Sequence, residues 1–262
     1  MSAAINPPVV LIIAGNDPSG GAGLAADIQA VTALGAHPAP VVTALTLQDT
    51  RNVQCVEAVS PQWIVQQAEA VLADMQVAAI KLGLLANAAI GKAVARMLRT
   101  HTGIPVVADP VLVAGGGAAL AEADLLAVYL ETLLPLATIV TPNVAESRRL
   151  VPQARDAQSR AAGLLARGCR HVLIKGADED TSEVHNFLYN HDGSHQEFVW
   201  PRLPGKYHGS GCTLASTLAA LLAQGIDMTQ AVDRAQAYTY KTLQQSWRLG
   251  RGQMIPNRRI AP

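Results

Sequence analysis

His208-Gly209-Ser210-Gly211-Cys212-Thr213 is the stretch of the chain best suited to chemistry. Two glycines flank a small hydroxyl residue, and an apolar run follows at once. Successive backbone amides at such a helix start can form a concave nest for an anion. A transferring phosphoryl group needs donors of this kind, because its transition state spreads charge over three equatorial oxygens. Cys212 stands at the helix start, a position that lowers a thiol pKa, and a thiolate there can take a proton from a substrate hydroxyl. The competing reading is a small buried residue at a helix N-terminus. Cys55 and Cys169 have no glycine nest and read as structural.

Other candidates are dispersed. Thr141-Pro142-Asn143-Val144-Ala145-Glu146 puts an amide and a carboxylate three residues apart at a helix start. That pair can hold magnesium through water, and it fits a helix N-cap with its capping-box glutamate equally well. Asp109, followed by Pro110, is a second carboxylate for a metal, and Lys175 offers a point charge to phosphate. The loop Gly20-Gly21-Ala22-Gly23 can bring amides close to a ligand, and Gly21-x-Gly23-x-x-Ala26 loosely matches a dinucleotide fingerprint. That fingerprint wants its first glycine directly after the strand, whereas residues 15–20 intervene. Asp27, one turn into the following helix, reads as a partner of the helix dipole. The Walker A sequence is absent, and no histidines have zinc spacing. His185, His191 and His195 read as a solvated surface.

These residues need a scaffold that gathers them. Short aliphatic runs at 9–14, 41–46, 78–82, 106–108, 138–141 and 171–175 read as buried strands. Between them lie helical stretches at 22–34, 87–100, 123–133, 144–150 and 158–167, and Ser60-Pro61, an N-cap and first-turn signal, opens another. The alternation predicts a mostly parallel sheet with helices on both faces. Residues 53–59 read as an edge or flap strand, and 183–200 as a hairpin around Asn190-His191-Asp192-Gly193. Helices at 212–224 and 229–245 close the chain, with irregular tails at 1–8 and 247–262 around a single domain. Nearly every candidate residue follows a strand. In an open parallel sheet that carboxyl edge is where ligands bind.

Composition narrows the function. Half of the 262 residues are hydrophobic and 4% aromatic, so the core is Ala, Val, Leu and Ile. Twenty basic residues balance twenty acidic ones, which argues against a nucleic-acid partner but leaves a small phosphorylated ligand open. Three separated cysteines fit a reducing compartment. No signal sequence or membrane-length apolar run stands out, so a cytoplasmic protein without a membrane partner is expected.

The ordered set of motifs resembles the ribokinase-like superfamily, and within it the hydroxymethylpyrimidine/phosphomethylpyrimidine kinases of thiamin biosynthesis. The match is carried by residues 14–23 with Asp27, by 43–50, and by Lys81-Leu82-Gly83-Leu84-Leu85. It continues through Asp109-Pro110-Val111, Thr141-Pro142-Asn143 with Glu146, Lys175-Gly176 and 208–213. The resemblance implies a three-layer α/β fold and a homodimer. It implies phosphorylation by ATP and Mg2+ of 4-amino-5-hydroxymethyl-2-methylpyrimidine, then of its monophosphate. Gln48 would bond the aminopyrimidine edge, with Gly15, Asp27 and Val111 lining its pocket. Gly209, Ser210, Gly211 and Cys212 would form the anion hole, with Cys212 as base. Asn143, Glu146 and Lys175 would serve ATP, and Asp109 with Glu146 the metal. The chain departs from the family at Asp49, where Asn is usual, at Leu84, where Met is common, and at Asp178-Glu179-Asp180, which follow Lys-Gly. A pyridoxal or pyridoxine kinase is the alternative within the superfamily. A dinucleotide-dependent oxidoreductase and a non-catalytic pyrimidine sensor are the alternatives outside it.

Overall fold

The structure is a computed structural model that describes residues 6–112 and 123–262. Its centre is one nine-stranded sheet in the order β3-β2-β1-β4-β5-β6-β7-β8-β9. The parallel part comprises β1 (Val9–Asn16), β2 (His37–Gln48), β4 (Val77–Leu82), β5 (Val106–Ala108), β6 (Ile139–Val140) and β7 (His171–Ile174). Antiparallel strands finish both edges: β3 (Val53–Ala58) on one side, β8 (Glu183–Asn190) and β9 (His195–Pro201) on the other.

Alternation along β1 sorts the core into two layers. Leu11 and Ile13 face one apolar cluster, whereas Val10, Ile12 and Ala14 face the other. The first cluster is closed by α2 (Pro61–Asp74), α3 (Ala88–Thr100), α4 (Ala123–Val128), α5 (Val144–Leu150) and α6 (Ala157–Leu165). The second is closed by α1 (Gly23–Ala33), α7 (Ser210–Ala223) and α8 (Met228–Gln244). Ala26, Ala30, Ala215, Ala219 and Ala220 are fully buried, so α1 and α7 pack closely on the sheet and the core needs few aromatics.

β2 starts at His37, four residues before the expected 41, despite Pro38 and Pro40. His37 N–H donates to Pro8 O on the β1 side. The alternating prolines therefore turn their nitrogens outward, where β3, which pairs only from Ala44 to Gln48, offers no partner. α7 starts at Ser210 rather than the expected 212, because Gly209 at φ +80° turns the chain into the helix two residues earlier. The expected tail 1–8 lies outside the described residues for 1–5. The segment 247–262 has irregular backbone, but Trp247 bridges Ile255 and Tyr207 bridges Met254, which fastens it to the body.

Candidate active site

At the carboxyl edge of the parallel strands the chain leaves the sheet at Asp17, Gly83, Asp109, Thr141 and Lys175, and these turns converge. Lys175 Nζ donates to Asp109 Oδ1 at 2.9 Å, and Thr141 Oγ1 donates to the same oxygen at 3.0 Å. A Cβ placed on Gly211 would lie 3.1 Å from Lys175 Nζ and 3.8 Å from Asp109 Oδ2. The first turn of α7 is thus seated on the Asp109–Lys175 pair, and its glycine makes the close approach possible. The leading amides of that turn have no acceptor within the helix, so they are donors for a ligand.

A second buried pair lies beside it. Lys81 Nζ donates to Asp27 Oδ2 at 2.8 Å, and Ser216 Oγ donates to Asp27 Oδ1 at 2.7 Å, with both charged side chains fully buried. The Asp27 carboxyl is pushed up by burial, against the pull of Lys81. Burial alone would lower Lys81, but the charge of Asp27, with lesser help from Cys212 and Asp109, outweighs it and raises the ammonium. Burial likewise opposes ionisation of Asp109, yet Lys175 and Lys81 hold its carboxyl low.

Cys212 corrects the expectation of a thiolate. Burial pushes its pKa up to about 11, and the charges of Asp27 and Asp109 add to the rise. Lys81 and a hydrogen bond from Gly23 N–H pull the other way without prevailing. At neutral pH this thiol is protonated. Desolvation outweighs the helix N-terminus at this half-buried residue, and the nearby carboxylates of Asp27 and Asp109 reinforce it.

Asn143 and Glu146 form the capping box: Glu146 N–H donates to Asn143 Oδ1 at 2.7 Å and Asn143 N–H to Glu146 Oε2 at 2.8 Å. The carboxylate is nonetheless unusual. Burial raises its pKa to about 7, with Asp109 adding to the rise and Lys175 opposing it. The next two amides of α5 are taken by Asp178, whose carboxylate accepts from Val144 N–H at 3.2 Å and Ala145 N–H at 2.8 Å. Glu179 pairs with Arg148 at the surface. Of the acidic run, only Asp178 therefore turns toward the site. Arg202, which sequence reading missed, holds this loop through the carbonyls of Ala177, Glu179 and Thr181.

The glycine loop 17–23 is closed on itself. Asp17 accepts from Ser19 N–H at 2.8 Å and from Ala22 N–H at 2.7 Å, while Ser19 Oγ accepts from Gly21 N–H at 3.3 Å. With those amides consumed, the loop does not present the donors that a dinucleotide pyrophosphate requires. It is instead a partner of the second loop: His208 Nε2 lies 2.9 Å from Asp17 Oδ2, and a Cβ on Gly21 would strike the His208 ring.

Two clefts open at this edge. One of about 620 Å³ is lined by Asn143, Lys175, Asp178, Ser210 and Gly211, with Trp200 and Tyr240 on its apolar side. The other, about 470 Å³, is lined by Ser19, Gln48, Asp49, Thr50 and Arg51 with Arg251. Gln48 is thus apart from the Asp109–Lys175 cluster, with its Nε2 donating to Thr46 Oγ1 at 2.6 Å. Asp49 caps the β2–β3 turn by accepting from Arg51 and Asn52 N–H. Gly15 packs against Leu84, where a Cβ would meet Leu84 at 2.9 Å. Val111 is half-buried beyond Asp109. Asp27, expected in the substrate pocket, has both oxygens engaged by Lys81 and Ser216 and is fully buried.

The sequence model of the phosphomethylpyrimidine kinase family matches residues 17–257, spanning every named strand and helix but β1. The chain belongs to that family. A hydroxymethylpyrimidine/phosphomethylpyrimidine kinase of Rhizobium meliloti is 37% identical over 256 residues, covering 94% of each chain. The thiamine biosynthesis bifunctional protein ThiED of Geobacter sulfurreducens is 39% identical over 248 residues. That match covers 93% of this chain, which spans about half (50%) of the longer relative. The fold is ribokinase-like: the pyridoxal kinase of Staphylococcus aureus, solved with AMP-PCP and pyridoxal, superposes with a TM-score of 0.87 at 25% identity, over 96% of this chain and 94% of the other. Kinases of this family are phosphotransferases, and phosphoryl transfer is chemistry that the α7 amides beside Lys175 suit. Among the described residues no helix is long and apolar enough to cross a membrane.

Proposed function

We propose that this chain transfers a phosphoryl group from ATP to the hydroxymethyl group of 4-amino-5-hydroxymethyl-2-methylpyrimidine, and then phosphorylates the monophosphate. One observation carries the reading. The leading amides of α7, which have no acceptor within the helix, stand against the Asp109–Lys175 pair at the edge where a parallel sheet binds ligands. The amides of Ser210, Gly211 and Cys212 stabilise the charge of the transferring group, Lys175 adds its cation, and the fraction of Cys212 that has lost its proton, which grows with pH, accepts the hydroxyl proton. The large cleft takes the nucleotide, with Asn143 lining it and Glu146 joined to Asn143 through the capping box, and the Gln48 cleft takes the pyrimidine.

Asp109 and Glu146 suit magnesium arriving on the phosphates. They are two buried carboxylates, and among the described residues no group of three acidic, histidine or cysteine side chains makes an all-protein cage. Bound there, the ion would neutralise charge on the phosphate oxygens. We also propose that the chain works as a cytoplasmic homodimer, which light scattering tests against the 27.5 kDa monomer mass.

Mass spectrometry of products from the pyrimidine with Mg-ATP tests the function, and the monophosphate followed by the pyrophosphate is expected. Pyridoxal is the second reading, favoured by the fold likeness to the Staphylococcus aureus enzyme. Phosphorylation of pyridoxal alone would reverse the order.

A further inference from the structure

One side chain of the C-terminal segment returns beneath the two joined loops. Arg258 is 1% exposed, although its backbone belongs to neither helix nor strand. Its Nε donates to Thr213 Oγ1 at 2.8 Å, and Nη2 donates to Gly21 O at 2.5 Å and Gly209 O at 3.4 Å. The segment is itself anchored to α8, since Tyr238 OH donates to Arg258 O at 2.8 Å and Asn257 N–H to Thr242 O at 3.0 Å. One guanidinium thus spans the loop before α1, the loop before α7 and the first turn of α7.

The consequence follows from peptide geometry. In a planar trans unit the C=O of one residue and the N–H of the next point in opposite directions. With Gly21 O held by Arg258, Ala22 N–H points the other way, where it meets Asp17 Oδ2 at 2.7 Å. Gly209 O accepts from Thr213 N–H at 2.9 Å and from Thr213 Oγ1 at 2.8 Å. Arg258 acts on it both through that hydroxyl, which accepts from its Nε, and directly from Nη2 at 3.4 Å, so Ser210 N–H is turned away from the guanidinium. The two backbones touch here, for a Cβ on Gly209 would come within 2.1 Å of Gly21 O. A lysine could not reproduce the contact, because acceptors on separate segments need the planar fork of arginine.

We propose that Arg258 is a positioning residue for phosphoryl transfer, a clamp that fixes the Gly209–Ser210 peptide so that the α7 amides face the transferring group. The inference rests on the kinase reading, and it concerns a residue just beyond the 17–257 family match.

The test compares Arg258→Ala and Arg258→Lys with the wild type by steady-state kinetics with Mg-ATP and the hydroxymethylpyrimidine. Amide hydrogen exchange of segments 17–23 and 208–213 is followed by mass spectrometry in parallel. Both variants should lose about 10- to 100-fold in kcat, with each KM changed by less than about threefold. Millimolar guanidinium should restore part of the alanine variant's rate, and exchange should quicken in the two loops. Wild-type kcat per folded molecule, or unchanged exchange in both loops, would overturn the clamp. Should the alanine variant not fold, the lysine variant decides alone. A wild-type protein that phosphorylates neither pyrimidine nor pyridoxal would remove the kinase reading, and the exchange measurement would still decide whether Arg258 orders the loops.

Discussion

A thiol whose pKa is about 11 holds its proton at pH 7, and this shapes what Cys212 can contribute. As proton acceptor it should make kcat/KM climb by about tenfold per pH unit above neutrality, as thiolate becomes available. Cys212→Ala should lower kcat by about 10²- to 10⁴-fold, flatten that climb and leave pyrimidine binding by calorimetry little changed. A variant with near-normal turnover would remove the base role. Glu146 makes a stability prediction instead. The folded chain keeps its proton up to about pH 7, whereas the unfolded carboxyl releases it near 4.5. Its contribution is therefore fully present below the lower value and lost as pH rises through the higher one. Glu146→Gln keeps an acceptor for the Asn143 amide and cannot ionise. Its thermal midpoint relative to wild type should rise from acid toward about pH 8, and a constant difference would contradict the assignment.

At the scale of elements, the site is built by cross-links between structures distant in sequence. Lys81 leaves β4 to meet Asp27 of α1, and Ser216 of α7 completes the group, so one buried charge pair ties a strand to two helices. Lys81→Met would leave Asp27 buried without its counter-charge. The expected loss is about 3–5 kcal/mol by urea denaturation, mostly recovered in the double variant with Asp27→Asn. A single variant as stable as wild type would show the pair to be dispensable. The same scale explains where sequence reading fell short. The aliphatic runs located the parallel strands, because burial on both sheet faces imposes them, and the turn residues 190–193 located the β8–β9 hairpin. Where α7 begins, and why β2 accepts two prolines, depended on a turn conformation and a missing neighbour that no local pattern encodes.

For the whole molecule, a ligand that binds only the folded state stabilises it by mass action. At a hundredfold excess over its Kd, Mg-ATP should add about 2.7 kcal/mol, read as a rise of several degrees in the melting midpoint. NAD should add none, since the 17–23 loop spends its amides on Asp17 and Ser19. Protection by NAD alone would favour the oxidoreductase reading. The sequence by itself determined the layered α/β architecture, the family, and the edge at which Asp109, Lys175 and the 208–213 loop would meet. Those follow from local signals: apolar runs that must be buried, and glycines and polar residues placed just after them. Only the tertiary structure decided the protonated state of Cys212, the enclosure of Asp27 and the separation of Gln48 from the phosphate cluster. It also decided the place of Arg258 beneath both loops. Each of these is set by desolvation and by partners dozens to hundreds of residues away, which only the folded chain brings within reach.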